Sequence, residues 1–281
     1  MNRPVEAALE AWIREHVEPT GPPELTHERP WASVWRVPAA GGPVWFKACA
    51  PVQAFESRLT ADLARRHPTL LPEVLAHDDE RAWLLLGDLG SHHGIAGITL
   101  DAYLELLPRY TELQRAEAAH TAEHLAHGVP DRRLAHLPAE LDELVAADLP
   151  LEPDEITRLQ TFAPRFEELC AELASYGVPE TIQHDDLHGN NLYPHESGTR
   201  ILDWGDSSIG HPFFSFTQAF RHTPPEWHDA MRAAYVEAWD VPRACADLAS
   251  RLCWFAYVAG PAFVDDRDGF AVELREALAQ I

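Results

Sequence analysis

One short segment of the chain, IQHDDLHGNNLYPHESGTRILDWGDSS, concentrates acids, amides and imidazoles between two apolar strings. Carboxylates repel one another, and each one that leaves water needs a partner or a metal, so bringing them together costs free energy. Such a cluster is typical of a site that binds cations. Its members are His184, Asp185, Asp186, His188, Asn190, Asn191, Asp203 and Asp206.

The spacing within this segment matches one kind of chemistry. Asn191 follows Asp186 by five positions, and DWG, which begins at Asp203, follows Asn191 by twelve. Phosphoryl transfer from a nucleotide needs a carboxylate that accepts a hydroxyl proton, oxygen ligands for a metal, and a lysine that holds the phosphates. D-x-x-x-x-N followed by D-x-G is the order in which protein kinases carry these groups. Because asparagine and aspartate oxygens suit Mg²⁺, magnesium is the expected metal.

HDDLHGNN followed by ILDWGD resembles the aminoglycoside phosphotransferase and choline kinase family, whose loop commonly reads H-G-D-L-H-x-x-N. The resemblance spans residues from about 30 to about 220. It implies a two-lobed α+β protein-kinase-like fold and a small-molecule kinase that uses ATP or GTP with Mg²⁺. By position it assigns catalysis to Asp186 and metal binding to Asn191 and Asp203. His188 joins the predicted catalytic set, although the loop histidines of such folds more often brace the loop than react.

A kinase-like fold also requires a lysine on a strand shortly before a helix that carries a glutamate. VWFKACAPVQAFESRLTADL supplies Lys47 and then Glu56, which we expect to form an ion pair beside the nucleotide phosphates. The turn around RPWASVW offers Ser33 but no glycine. LGDL lies where the family's linker meets adenine, so Leu86 and Asp88 complete the predicted nucleotide set.

The sequence departs from the family pattern at two places. Asp185 stands where the family usually has glycine, and His211 in GHP replaces an acid. We interpret Asp185 and four later aspartates as contacts for a cationic acceptor, since acids around a cleft attract and bind ammonium groups. The alternative is that an aspartate run is a solvated face. The predicted acceptor contacts are Asp185, Asp206, Asp265, Asp266 and Asp268.

Hydropathy patterns indicate the elements that position these residues. SVWRVPAAGGPVWFKA predicts a hairpin, AFESRLTADLARRH a helix, and LLPEVLAHDDERAWLLLGDLG two strands. From about Thr99 onward helical periods dominate, with HESGT as a turn between two short strands. We therefore expect a nucleotide-binding lobe over residues 1–88 and a catalytic, acceptor-binding lobe over 89–281.

Composition excludes several partners. The 281 residues include 22 basic and 45 acidic side chains, and this net charge of −23 repels nucleic acids and anionic membranes. The four cysteines form no CxxC pair, and the first residues lack the apolar core of a secretion signal, so a cytoplasmic location is expected. The sequence does not predict an oligomeric state.

Two alternative functions remain open at this stage. A catalytically inactive nucleotide-binding homologue is disfavoured because every reacting position is intact. A metal-dependent hydrolase that uses the histidines and aspartates would require further ligands at helical spacing, which the sequence does not show. Aminoglycoside, amino-alcohol, sugar and macrolide acceptors cannot be separated by these motifs.

Overall fold

The computed structural model describes residues 3–258 and 267–279, and these form two compact units. Unit 1 contains the described residues of Met1–Gly97, Ala126–Val129 and Gly189–Asp206. Unit 2 contains the described residues of Ile98–Leu125, Pro130–His188 and Ser207–Ile281.

Unit 1 is built on an antiparallel sheet of five strands and two helices. The elements are α1 (Arg3–His16), β1 (Glu24–Glu28), β2 (Ala32–Val37), β3 (Val44–Cys49), α2 (Glu56–Arg66), β4 (Val74–Asp78) and β5 (Trp83–Gly87). The strand order is β1-β2-β3-β5-β4. The predicted hairpin is confirmed as β2 and β3, the predicted pair of strands as β4 and β5, and the predicted helix as α2.

The core of unit 1 lies between α1 and one face of this sheet. Trp12 of α1 packs edge-on against Phe46 and Trp83, with ring centroids 5.7 Å away in each case. Because side chains alternate along a strand, placing Phe46 in this core turns Lys47 to the opposite face. The strand register agrees with this arrangement, because paired residues share a face: Phe46 pairs with Trp35, and Lys47 pairs with Val34.

A later segment of the chain completes unit 1. The predicted turn at HESGT joins β7 (Leu192–Tyr193) to β8 (Arg200–Ile201), an antiparallel pair. The amide of Ile201 donates to the carbonyl of Leu70 at 2.7 Å, and the amide of His93 donates to the carbonyl of Leu192 at 2.7 Å. These bonds tie the hairpin to the loop after α2 and to the chain after β5. Unit 1 therefore runs to Gly97 and includes 189–206, whereas the predicted division fell after residue 88.

Unit 2 is mainly helical, as predicted. Its one described sheet is the antiparallel pair of β6 (Thr181–Gln183) and β9 (Ser208–Gly210). The long helical periods form α3 (Leu100–Glu117), α4 (Thr121–Ala126), α5 (Leu137–Ala146), α6 (Pro153–Ala174), α8 (Pro225–Trp239), α9 (Arg243–Val258) and α10 (Arg267–Leu278). The short helix α7 (Phe216–Arg221), which no pattern predicted, follows a 3₁₀ turn at Pro212–Ser215.

Strand β1 also lay outside the predicted sheet. All five of its residues, Glu24–Glu28, are exposed, so no apolar alternation marks it as a strand. It is an edge strand held by backbone pairing to β2. Across the described ranges, none of the helices combines the length and the apolar character needed to cross a bilayer.

Candidate active site

Three charged side chains of unit 1 converge in what we call the lysine cluster: Lys47, Glu56 and Asp203. The Nζ atom of Lys47 lies 2.8 Å and 2.7 Å from the two carboxylate oxygens of Glu56, and 2.5 Å from Oδ1 of Asp203. The exposed fraction of the side chain is 12% for Lys47, 2% for Glu56 and 46% for Asp203. The predicted ion pair is therefore present, and a third predicted residue joins it from 156 positions away. Asp203 is the most solvent-exposed member of the cluster.

Electrostatics keep the lysine positive. Burial lowers the pKa of Lys47, but the carboxylates of Glu56 and Asp203 outweigh burial and raise it above its ordinary value. Burial also raises the pKa of the Cys49 thiol, which donates to Glu56 Oε2 at 3.3 Å. Glu56 is thus held by Lys47 and Cys49 together. The cluster presents a fixed cation next to an accessible carboxylate.

The segment that carries Asn191 and Asp203 has two unusual backbone features. Asp203 has φ of +67°, a left-handed conformation that costs free energy for a residue other than glycine and is common at functional sites. Gly189 has no room for a side chain, because a Cβ would lie 2.4 Å from the carbonyl oxygen of Gly94. The carbonyl of Asn191 accepts from the amide of Leu202 at 2.9 Å, so the hairpin links the two predicted metal ligands.

The oxygen donors of Asn191 and Asp203 suit a hard cation. An amide oxygen and a carboxylate are the donor types that Mg²⁺ prefers, and this metal usually binds through one or two carboxylates together with substrate phosphates. The half-exposed Asp203, held on one oxygen by Lys47, fits that requirement. The residues present therefore fit the predicted ion.

The loop that carries Asp186 belongs to unit 2 and is braced by its histidines. His188 Nε2 lies 3.2 Å from Asp186 Oδ1, and the Asp186 amide donates to His184 Nδ1 at 3.3 Å. The amide of the fully buried His184 donates to the Tyr110 hydroxyl at 3.0 Å. His188 therefore contacts Asp186 directly, while His184 supports the loop from within.

Asp185 has a partner inside unit 2. Its backbone is left-handed, with φ of +57°, at the position where the family pattern has glycine. Its carboxylate accepts a hydrogen bond from the Ser208 hydroxyl of β9. Burial raises the pKa of Asp185, and the guanidinium of Arg132 together with Ser208 partly offsets this. The predicted contact of Asp185 with an acceptor stays a prediction, and in the structure its carboxylate binds Ser208.

The remaining predicted residues fall at separate places. Ser33 lies on β2 opposite Ala48, not in the preceding turn, and Leu86 is buried on β5. Asp88 accepts from Trp45 Nε1 at 2.7 Å. Among the predicted acceptor contacts, Asp265 and Asp266 lie outside the described residues, and for Asp268 on α10 the structure describes the backbone alone. The nucleotide and acceptor roles of these residues stay predictions.

Sequence reasoning missed Gln53. This residue ends a 3₁₀ turn, Pro51–Gln53, between β3 and α2, and its side chain is 6% exposed. Its Nε2 donates to Asp206 Oδ1 at 2.9 Å. A glutamine in a short turn carries no pattern that would have predicted this contact. Asp206, predicted to bind the acceptor, therefore also holds Gln53.

A cavity of about 1170 Å³ in unit 1 lies away from the lysine cluster. Its wall includes the end of α2, strand β4, the β2–β3 turn and residues 87–89, with Arg65, His77, His195 and Arg200 among its side chains. None of Lys47, Glu56, Asn191 or Asp203 lines it. Its size alone does not make it the site of chemistry, because the converging charges lie elsewhere.

Comparison with solved structures shows the fold. The macrolide 2′-phosphotransferase MphH from Brachybacterium faecium is 17% identical, with a TM-score of 0.63 over 97% of this chain and 98% of that one. The choline kinase LicA from Streptococcus pneumoniae is 13% identical, with a TM-score of 0.69 over 99% of both chains. The GDP and kanamycin complex of APH(2″)-IIIa is 17% identical, with a TM-score of 0.65 over 97% of both. The predicted α+β protein-kinase-like fold is confirmed.

Sequence comparison adds the family. No curated protein matches the chain in sequence. A model described as the phosphotransferase enzyme family matches residues 34–250, a range that contains Lys47, Glu56 and the whole polar segment from His184 to Asp206. The predicted resemblance is thereby confirmed, and the chain belongs to the phosphotransferase enzyme family.

Proposed function

We propose that the protein is a small-molecule kinase that transfers the γ-phosphate of ATP or GTP to a hydroxyl of a small acceptor, with Mg²⁺. The observation that carries this proposal is the lysine cluster, in which Lys47 is held between Glu56 and Asp203. This is the arrangement that positions nucleotide phosphates in kinases. Membership of the phosphotransferase enzyme family and the GDP named in the APH(2″)-IIIa complex support it.

Each residue of unit 1 has a distinct role in this proposal. Lys47 binds the α- and β-phosphates, and Glu56 keeps its Nζ in place. Asn191 and Asp203 hold the metal, which when bound neutralises phosphate charge. Ser33, Leu86 and Asp88 are further proposed contacts of the nucleotide.

Asp186 of unit 2 accepts the proton of the attacking hydroxyl. A carboxylate does this when it is ionised and aligned with the hydroxyl. His188, 3.2 Å from Asp186 Oδ1, fixes the orientation of that carboxylate. The proton leaves the acceptor oxygen as that oxygen bonds to the γ-phosphorus and the bond to the nucleoside diphosphate breaks.

The acceptor class is proposed from charge. We favour an aminoglycoside-like or amino-alcohol-like cation, because the chain is strongly acidic and its sequence sets Asp185 directly before Asp186. Kanamycin and choline appear in the names of similar structures, as does the macrolide class.

A cytoplasmic location is part of the proposal, since all four cysteines are free thiols.

The direct test measures binding and transfer separately. Calorimetry with Mg-ATP and Mg-GTP tests nucleotide binding, and labelled γ-phosphate with panels of aminoglycosides, amino alcohols, sugars and macrolides tests transfer. Nucleotide binding with transfer to one acceptor class supports the kinase. Binding without transfer to any acceptor supports the inactive homologue, and nucleotide-independent hydrolysis supports the hydrolase.

A substitution at Asp186 tests its role. We expect Asp186→Asn to bind Mg-nucleotide as the wild type does but to lose about 10²-fold or more in kcat, because proton acceptance is lost while the ligands of unit 1 remain. Asp203→Ala is the contrasting variant and should lose Mg-dependent nucleotide affinity. Near-normal turnover by Asp186→Asn on the identified acceptor would remove Asp186 from this role.

A further inference from the structure

Strand β3 and the connection that follows it each contact the DWGD segment once through a side chain. Lys47 of β3 binds Asp203, and Gln53, in the connection between β3 and α2, binds Asp206. The second contact is intimate, because Gln53 is 94% buried although its partner Asp206 is exposed. Buried polar side chains are normally hydrogen-bonded, so the bond to Asp206 accounts for the burial of the Gln53 amide.

Gly205 lies between the two contacts and shows how closely the segments approach. A Cβ on this glycine would lie 2.7 Å from Cδ and Oε1 of Gln53 and 2.8 Å from Oε2 of Glu56. The Oε1 atom of Gln53 makes no hydrogen bond in the described structure and faces this glycine. Only Nε2 of the amide is therefore engaged, and its acceptor is Asp206.

We infer that Gln53 is a positioning residue for the nucleotide site: its hydrogen bond to Asp206 orients the DWGD segment so that Asp203 faces Lys47. We call the Gln53–Asp206 contact the latch. This inference rests on the proposed function, since it gives the latch a role in binding Mg-nucleotide. Gln53 touches no reacting group and acts through Asp203.

The latch helps to hold a segment in which Asp203 is strained. Its left-handed backbone persists only where the surroundings hold it. The amide of Leu202 holds the chain before Asp203 through the carbonyl of Asn191, and Lys47 holds the Asp203 side chain. Trp204 is fully buried, and the latch adds a directional contact three residues after Asp203.

The chemistry of the latch permits a reversal test. Gln53→Glu replaces the donor with a carboxylate opposite Asp206, so the pair repels and the latch opens. Asp206→Asn keeps an oxygen that can accept from Gln53 and should be mild. Combining Gln53→Glu with Asp206→Asn exchanges donor and acceptor, and the hydrogen bond forms again in the opposite direction. Gln160→Glu, at an exposed position of α6, is the matched control.

The readout is affinity for Mg-nucleotide measured by calorimetry without acceptor, so an acceptor contact of Asp206 does not affect it. We expect Gln53→Glu to weaken binding about tenfold or more, as for loss of a hydrogen bond to a charged group. The double variant should recover to within about threefold of the wild type, because its hydrogen bond is restored.

Two results would overturn the latch: unchanged affinity in Gln53→Glu, or a double variant as weak as Gln53→Glu alone. If Gln53→Glu does not fold, Asp206→Ala decides the matter, because Asp206 is exposed and its loss should also weaken nucleotide binding. Unchanged affinity in Asp206→Ala also contradicts the latch. A wild type that binds no nucleotide refutes the proposed function instead, so the two failures are distinguishable.

Discussion

At the scale of a single residue, the ionised state of Lys47 depends on its neighbours. It lies on the face of β3 opposite the core, and water reaches only 12% of its side chain. Such a cation remains ionised because Glu56 and Asp203 compensate for the water it has lost. The strained backbone of Asp203 and the buried carboxylate of Glu56 are parts of the same arrangement.

This dependence predicts non-additive mutants. Lys47→Ala should reduce kcat/KM about 10²-fold or more, since a fixed cation for the phosphates is lost. Glu56→Ala should cost less, because Glu56 acts through Lys47. The double variant should be no worse than Lys47→Ala when the four proteins are compared in a double-mutant cycle. Losses that add in full would show that Glu56 works independently of Lys47.

His211 is a second residue with a testable environment. It is fully buried, and burial lowers its pKa to about 3. The neutral ring accepts the amide of Phe213 on Nδ1 at 3.4 Å, so it caps the 3₁₀ turn where the family pattern has an acid.

The lowered pKa of His211 predicts how stability depends on pH. Below pH 6.5, the ordinary pKa of histidine, His211 binds a proton in the unfolded chain but stays neutral in the folded one. Folding stability therefore falls as pH decreases from about 6.5 toward 3. The slope from this group approaches about 1.4 kcal/mol per pH unit. His211→Asn keeps an acceptor for Phe213 and should show a shallower fall in urea unfolding between pH 6.5 and 4.5. Parallel profiles for the two proteins would contradict the assignment.

At the scale of elements, the β3–α2 connection and the segment after β8 must fit each other. Gly205 lies where a side chain would not fit between them, and its backbone is not left-handed, so the glycine is needed for space and not for its conformation. The β7–β8 hairpin sets the path of this segment through its bond from Ile201 to Leu70. The position of Asp203 thus depends on two loops that are remote in sequence.

Gly205→Ala should disrupt this fit. The added methyl group would lie under 3 Å from Gln53 and Glu56, which must move or force the backbone away. We expect loss of Mg-nucleotide affinity and a destabilisation of about 1–3 kcal/mol, typical of overpacking. Gly41→Ala is the matched control, because a Cβ at Gly41 meets nothing within 4 Å. Equal affinity and equal melting temperature for both variants would contradict the close packing.

At the scale of the whole molecule, the net charge of −23 is the dominant long-range property. Such a charge repels anions and raises the local concentration of small cations at low ionic strength. A net charge far from zero also favours solubility, which is the simpler consequence of the same composition.

We expect the acceptor to be a cation whose KM rises with ionic strength. Replacing Asp265, Asp266 and Asp268 together by asparagine should raise that KM, with little change for Mg-nucleotide, because carboxylates bind the ammonium groups of the acceptor. Steady-state kinetics at low and high salt provide the measurement. An unchanged KM in the triple variant, or transfer only to neutral acceptors, would refute the charge argument and leave the kinase proposal intact.

The sequence alone was sufficient for the elements whose residues carry a local signal. The hairpin of β2 and β3, helix α2 and the β7–β8 turn follow from alternation, helical spacing and turn residues. The pairing of Lys47 with Glu56 could also be predicted, because the resemblance implies a kinase-like fold, in which a lysine on a strand pairs with a glutamate of the following helix. Strand β1 could not, because an exposed edge strand has no buried face to shape its composition.

Only the tertiary structure decided the partners of side chains that are far apart in sequence. Gln53 and Asp206 are 153 residues apart, and Asp185 and Ser208 are 23 apart. No periodic pattern links such pairs, because their hydrogen bonds exist only once the intervening chain has folded. The same holds for Gly205, since its need for space arises from Gln53 and Glu56 and not from its own backbone. Motif spacing therefore predicted which residues do the chemistry, and long-range packing determined how those in unit 1 are held.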